Sequence, residues 1–232
     1  MTAGPSLTRW YRRFLRGLAC ATLIGIAAGC LQLLESRARA ASSEDKMYFP
    51  SGRFLREAVV GYREMAADLL WFQTVQYYGA YRKGEHDLRY FNGLVDCVIT
   101  LDPRFVEAYY FGSLVASLDQ GEIPHSVDLL KRGILVNPDT WVLPFHIGFT
   151  YYVLLQDYER AATWFQLAAC APDATDFARR FAAYAHGRSG NLAGSRTLWQ
   201  NLHETTSNPA MKALAQRMIA ECEAALAQAP RQ

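Results

Sequence analysis

Glu64 and Asp68 fall four residues apart beside Trp71, so a helix through them would carry two carboxylates on one face next to an aromatic ring. Paired carboxylates can do acid–base work when a third titratable group converges on them, and His86 is the nearest histidine in sequence. The bland reading is that both acids are solvated or pair with Arg56 or Arg63. The remaining histidines, His125, His146, His186 and His203, are scattered, and His146 sits in an apolar helical pattern that fits a packed ring better than a ligand. No HExxH pair, nucleophile elbow, Walker loop or dinucleotide fingerprint occurs. The expectation is a chain without enzymatic activity, with no catalytic residue, no metal site and no cofactor.

Cysteine chemistry is equally sparse. Cys20 and Cys30 lie in the N-terminal apolar run, which leaves Cys97, Cys170 and Cys222 with no close spacing and no CxxC. Each of the three sits in an apolar pattern, GLVDCVI, QLAACAP and IAECEAAL, and is expected to be a small buried core residue.

The elements that would have to position these side chains follow from composition and period. A chain of 232 residues, 51% hydrophobic and 20% charged, can bury a substantial core. Its net charge of +2 owes much to Arg9, Arg12, Arg13 and Arg16, so the body is near neutral and lacks the clustered basic face of a nucleic-acid binder.

After a basic flank over 1–16, residues 17–34 carry no charge and include only Thr22 and Gln32 as polar side chains. A helix of that length, at roughly 1.5 Å per residue, reaches most of the way across a hydrocarbon layer roughly 30 Å thick. Three fates fit. The segment is an uncleaved transmembrane anchor with its arginines on the cytoplasmic side. Alternatively it is a lipoprotein signal acylated at Cys30, for which Ile26-Ala27-Ala28-Gly29-Cys30 resembles a lipobox, although Ala27 stands where leucine is usual. The third fate is a secretory signal cut after Ala38-Arg39-Ala40. All three export the body. Residues 35–49 then form a polar linker rich in small residues.

From residue 50 onward the pattern is helical. Leu55, Val59, Tyr62, Met65, Leu69, Phe72 and Val75 recur at amphipathic spacing over a stretch long enough for two helices or one broken one. Helix stops then repeat. ITLDPRF, ILVNPDT and AACAPDA place Pro103, Pro138 and Pro172 in the same context at intervals of 35 and 34 residues, and Pro209 follows after 37. Proline cannot donate to a helix and disfavours helix in the residue before it, so each stop ends one helical hairpin and opens the next. Within the periods, Gly79, Gly112, Ser113, Ala116, Gly148, Ala161, Ala162, Ala168, Ala182 and Ala183 supply small residues where helices approach closely. Turns are expected at Lys83-Gly84, Gly121 and Ser189-Gly190-Asn191.

This pattern resembles the tetratricopeptide repeat (TPR), whose 34-residue period, small residues in both helices and terminal proline all recur here between Thr74 and Pro209. YFPSGRFLREAVVGYREMAADLLWFQTVQYYG, followed by LDPRF and WVLPFHIGF, is also similar to a group of membrane-anchored bacterial repeat proteins. The resemblance implies an all-α fold: a right-handed superhelical array of helix-turn-helix repeats over 50–209, preceded by the N-terminal transmembrane or signal helix. The tail 210–232 is expected to cap it, with Met211, Leu214, Met218, Ile219, Cys222 and Leu226 near one stripe.

Such arrays present a concave groove lined by the first helix of each repeat. By repeat alignment its candidate partner-binding residues are Gln73, Gln76, Glu107, Tyr110, Leu114, Phe149, Tyr152, Arg180 and Tyr184. The competing role for the tyrosines is inter-helix packing. The resulting expectation is a noncatalytic scaffold or adaptor that binds a peptide or protein. It would span the bacterial inner membrane once, with its repeats on the periplasmic side, and act in assembly or maintenance of an envelope complex. The alternatives are a periplasmic or lipid-anchored protein, similar in organisation to repeat-containing pilotins, and an enzyme accessory with a hidden site. Oligomeric state is not legible from the sequence.

Overall fold

A computed structural model describes residues 61–228, together with Gly25, Gly29 and Gln32, which are helical. The chain divides into two compact units, Met1–Tyr48 and Phe49–Gln232. Cys30, the linker and most of the apolar run fall outside the described residues. Among the described residues, no helix is long and apolar enough to cross a membrane.

The second unit contains, among the described residues, only helices: α1 Arg63–Arg82, α2 Phe91–Leu101, α3 Val106–Leu118, α4 Ile123–Val136, α5 Val142–Phe149 continued by a π-helical turn Thr150–Leu154, α6 Tyr158–Ala169, α7 Asp176–Arg188, α8 Leu192–Thr205 and α9 Pro209–Gln228. These pair as α1/α2, α3/α4, α5/α6 and α7/α8, with α9 packed on α8. Gly61 has a left-handed φ of 87°, and α1 starts two residues after it, at Arg63.

Each proline stop works as its chemistry requires. α2 ends one residue before Asp102, whose carboxylate accepts from Arg104 N at 2.9 Å and satisfies the turn at Pro103. α4 ends at Val136, and Asn137 donates its side-chain amide back to Gly133 O at 3.2 Å. Asn208 accepts from Ala210 N at 3.0 Å, and Pro209 opens α9, a first-turn position where its missing donor costs nothing. Two stop loops are also tied together, since Trp141 N donates to Asp173 Oδ1 at 2.9 Å. The turns inside the hairpins each hold one left-handed residue: Gly84, Gly121, Gln156 and Gly190.

The small residues do the packing foreseen for them, except Gly79, where a Cβ would meet nothing within 4 Å because that side of α1 faces away from its neighbours. A Cβ on Gly112 would stand 2.9 Å from both Leu129 and Val95, and one on Gly148 would stand 2.7 Å from the ring of Phe165. Ala161, Ala168, Ala182 and Ala183 are fully buried. Cys97 and Cys222 are buried as expected, but Cys170 is exposed, because α6 has already ended at Ala169 and the thiol sits on the cap. Pro144 is absorbed in the first turn of α5, which begins two residues earlier, at Val142.

The core is continuous along the array but falls into three clusters. One joins α1 to α5 around Phe91, Leu94, Leu130, Leu143 and Ile147. The second, around Phe145 and Phe165, joins α5 to α7, and the third, around Trp199, joins α7 to α9.

Candidate partner-binding face

Aromatic side chains link each first helix to the next along the array. Trp71 and Tyr78 of α1 meet Phe111 of α3 with ring centroids 5.7 and 5.0 Å apart. Tyr110 of α3 lies 4.2 Å from the ring of His146 on α5. Phe145 of α5 meets Phe177 and Phe181 of α7, both at 5.2 Å. These contacts set the first helices side by side, so residues at the next helical positions form a shared face.

On α3 that line is Glu107, Tyr110, Leu114 and Leu118, with Glu107 and Leu118 exposed and the other two half-buried. On α5 it is Val142, His146, Phe149 and Val153, and on α7 it is Phe177, Arg180 and Tyr184. Of the sequence candidates, Glu107, Tyr110, Leu114, Phe149, Arg180 and Tyr184 are therefore brought onto adjacent lines. Tyr110 and Tyr184 each spend one face on packing, the latter against Trp199 at 4.9 Å. Tyr152 sits in the π-helical turn and contacts Tyr158, Phe165 and Phe181, which commits most of its ring to the core. Gln73 and Gln76 are exposed on α1 but point away from Trp71 and Tyr78, the residues through which α1 meets α3.

Leu118, Val153 and Phe177 are exposed apolar residues on these lines that the sequence reading did not pick out. Their signal was present as helical spacing from Leu114, Phe149 and Arg180, but an apolar residue near a helix end looks the same in sequence whether it is buried or not.

The electrostatics of the face are uneven. The guanidinium of Arg180 lies over the rings of Phe177 and Phe181 at 5.1 and 5.6 Å, and its shielded Nε has no hydrogen-bond partner. The nearby carboxylate of Asp176 is engaged elsewhere, by Arg179 at 3.4 Å and by the hydroxyl of Thr206. Burial pushes the imidazole of His146 down to about 4, so it is neutral at pH 7, and its Nδ1 is buried without a partner.

The groups singled out for catalysis are not assembled. Glu64 and Asp68 are exposed on the first turns of α1, while His86 stacks on Tyr77 at 4.0 Å beyond the other end of that helix. Tyr77, on which His86 stacks, is far enough along the helix from Asp68 and Glu64 to put roughly 14 to 20 Å along the axis between the acids and that ring. Among the described residues, no group of three or more His, Cys, Asp or Glu side chains could hold a metal ion.

No family model and no curated protein matches the chain. Among solved structures, it is similar to that of a thermophilic TPR protein of Thermus thermophilus, at 17% identity over 84% of this chain and 96% of that one, with a TM-score of 0.46. The tandem hairpins stand on the helix packing described above.

Proposed function

We propose that this chain is a noncatalytic TPR-like scaffold that holds a peptide or protein segment along the face shared by its first helices. In this reading the hairpins stack into the right-handed array of that repeat class, and the shared face becomes its concave groove. Residues 17–34 tether the array to the bacterial inner membrane, and the repeats lie on the periplasmic side, where the protein serves assembly or maintenance of an envelope complex.

One observation carries the reading. Three consecutive first helices present Leu114, Leu118, His146, Phe149, Val153, Arg180 and Tyr184 in adjacent lines. Apolar and aromatic side chains left half-exposed beside an arginine are the composition of a recognition surface, because they give large contact area at small entropic cost.

The test is capture of the partner from crosslinked membranes by the full-length protein. Leu118→Asp combined with Val153→Asp should reduce the captured partner at least tenfold while the melting temperature stays within about 3 °C of wild type, since both side chains are exposed and exposed sites carry little stability. Undiminished capture by the double variant would remove this face from the interaction.

A further inference from the structure

The two ends of the array are finished differently. At the C-terminal end, α9 lays Met211, Leu214, Met218 and Ile219 over the core around Trp199. At the other end, the face of α1 opposite its packed residues Ala67, Leu70, Thr74 and Tyr77 is open and carries four large apolar side chains beside Gln73 and Gln76. Tyr62, Met65, Leu69 and Phe72 are 66%, 56%, 62% and 62% exposed. Monomeric proteins rarely leave such a contiguous strip uncovered.

We propose that this strip is the interface for a second copy of the chain, which pairs its own α1 antiparallel across a two-fold axis near Phe72. Spacing is the first argument. Met65, Leu69, Phe72, Gln76 and Gly79 follow one another at four, three, four and three, the alternation that keeps one seam facing a partner helix. The second argument is shape. An antiparallel pair centred near Phe72 sets Met65 of one copy over Gly79 of the other, and a Cβ on Gly79 would meet nothing within 4 Å in the single chain. Among the described residues no contact calls for glycine there, where it weakens the helix by about 1 kcal/mol relative to alanine, whereas an opposing methionine would need the room.

Charge is the third argument. Glu64 and Asp68 flank the strip at its N-terminal end, and Arg82 lies on the same flank at the C-terminal end, exposed even while it reaches Asp119 at 3.4 Å. The two-fold keeps each flank on its own side and reverses the helix direction, so the acids of one copy face the arginine of the other. Every contact is then made twice, which is the property of a two-fold interface.

Full-length protein in detergent micelles, followed by sedimentation over a concentration series, tests this. Wild type should reach a dimer in the micromolar range. Gly79→Leu should weaken dimerisation at least tenfold with helix content retained and the melting of the monomer no lower than that of wild type. Glu64→Arg should weaken it too, and Glu64→Arg with Arg82→Glu should recover it. A wild type that stays monomeric would overturn the proposal and leave the strip to residues 50–60 or to a different protein. A dimer unaffected by Gly79→Leu would overturn it as well, and would place the contact in the N-terminal apolar run.

Discussion

Gly148→Val is expected to lower stability by about 3 kcal/mol, whereas Gly93→Ala, the substitution of another helical glycine, should raise it by about 1 kcal/mol. The sign differs because the surroundings differ. A Cβ on Gly148 would lie 2.7 Å from Cδ1, 2.9 Å from Cε1 and 3.0 Å from Cγ of Phe165, while one on Gly93 would meet nothing within 4 Å. Phe165 has nowhere to retreat, being fully buried between Phe145 at 5.1 Å and Phe181 at 5.4 Å. The α5/α6 hairpin must open instead. Denaturant melts of the two variants measure the contrast, and Gly148→Val with Phe165→Leu should recover part of the loss by making room. If Gly148→Val were as stable as wild type, the close approach of α5 and α6 would be wrong.

Trp199→Ala is expected to cost roughly 3 to 5 kcal/mol, the range for truncating a large buried aromatic. Its ring is fully buried and meets Tyr184 edge-on, in the cluster with Leu202, Ala215 and Cys222 that joins α7, α8 and α9. In an array whose repeats touch only their neighbours, the damage should stay local. Hydrogen exchange should therefore speed up through α7, α8 and α9, and the amides of α2 and α4 should keep most of their protection. Equal loss of protection throughout would mean that the three core clusters melt as one unit and that the repeats are not independent.

Much of this architecture was legible because proline and glycine have few roles. Pro103, Pro138, Pro172 and Pro209 each mark a stop, and Gly84, Gly121 and Gly190 each hold a left-handed turn, as their chemistry dictates. Small residues such as Gly148 and Ala161 showed where helices touch. The π-helical turn Thr150–Leu154 was not legible, because nothing in TYYVL separates a widened turn from an ordinary helical one. Cys170 has an apolar neighbourhood in sequence but lies past the end of α6, so its exposure depends on where the helix stops.

The site was legible only in part, and for a similar reason. Leu114, Phe149 and Arg180 could be placed by repeat register, since a register fixes which side of a helix a residue occupies. Whether a tyrosine packs or faces solvent depends on the neighbouring helix: Tyr109 is buried with its hydroxyl donating to Pro103 O at 3.1 Å, while the adjacent Tyr110 reaches the shared face. Gln76 falls on the outward strip of α1, because α1 turns Trp71 and Tyr78 toward α3.

The most direct measurement is site-specific photocrosslinking in intact membranes, with a photoreactive side chain placed in turn at Leu114, Val153 and Tyr184 on the shared face and at Lys131 and Thr163 on second helices. The account predicts that one and the same protein is crosslinked from all three first-helix positions and from neither of the others. Adducts formed from Lys131 or Thr163 but not from Leu114, Val153 and Tyr184 would contradict it, and would place the working surface on the other side of the array.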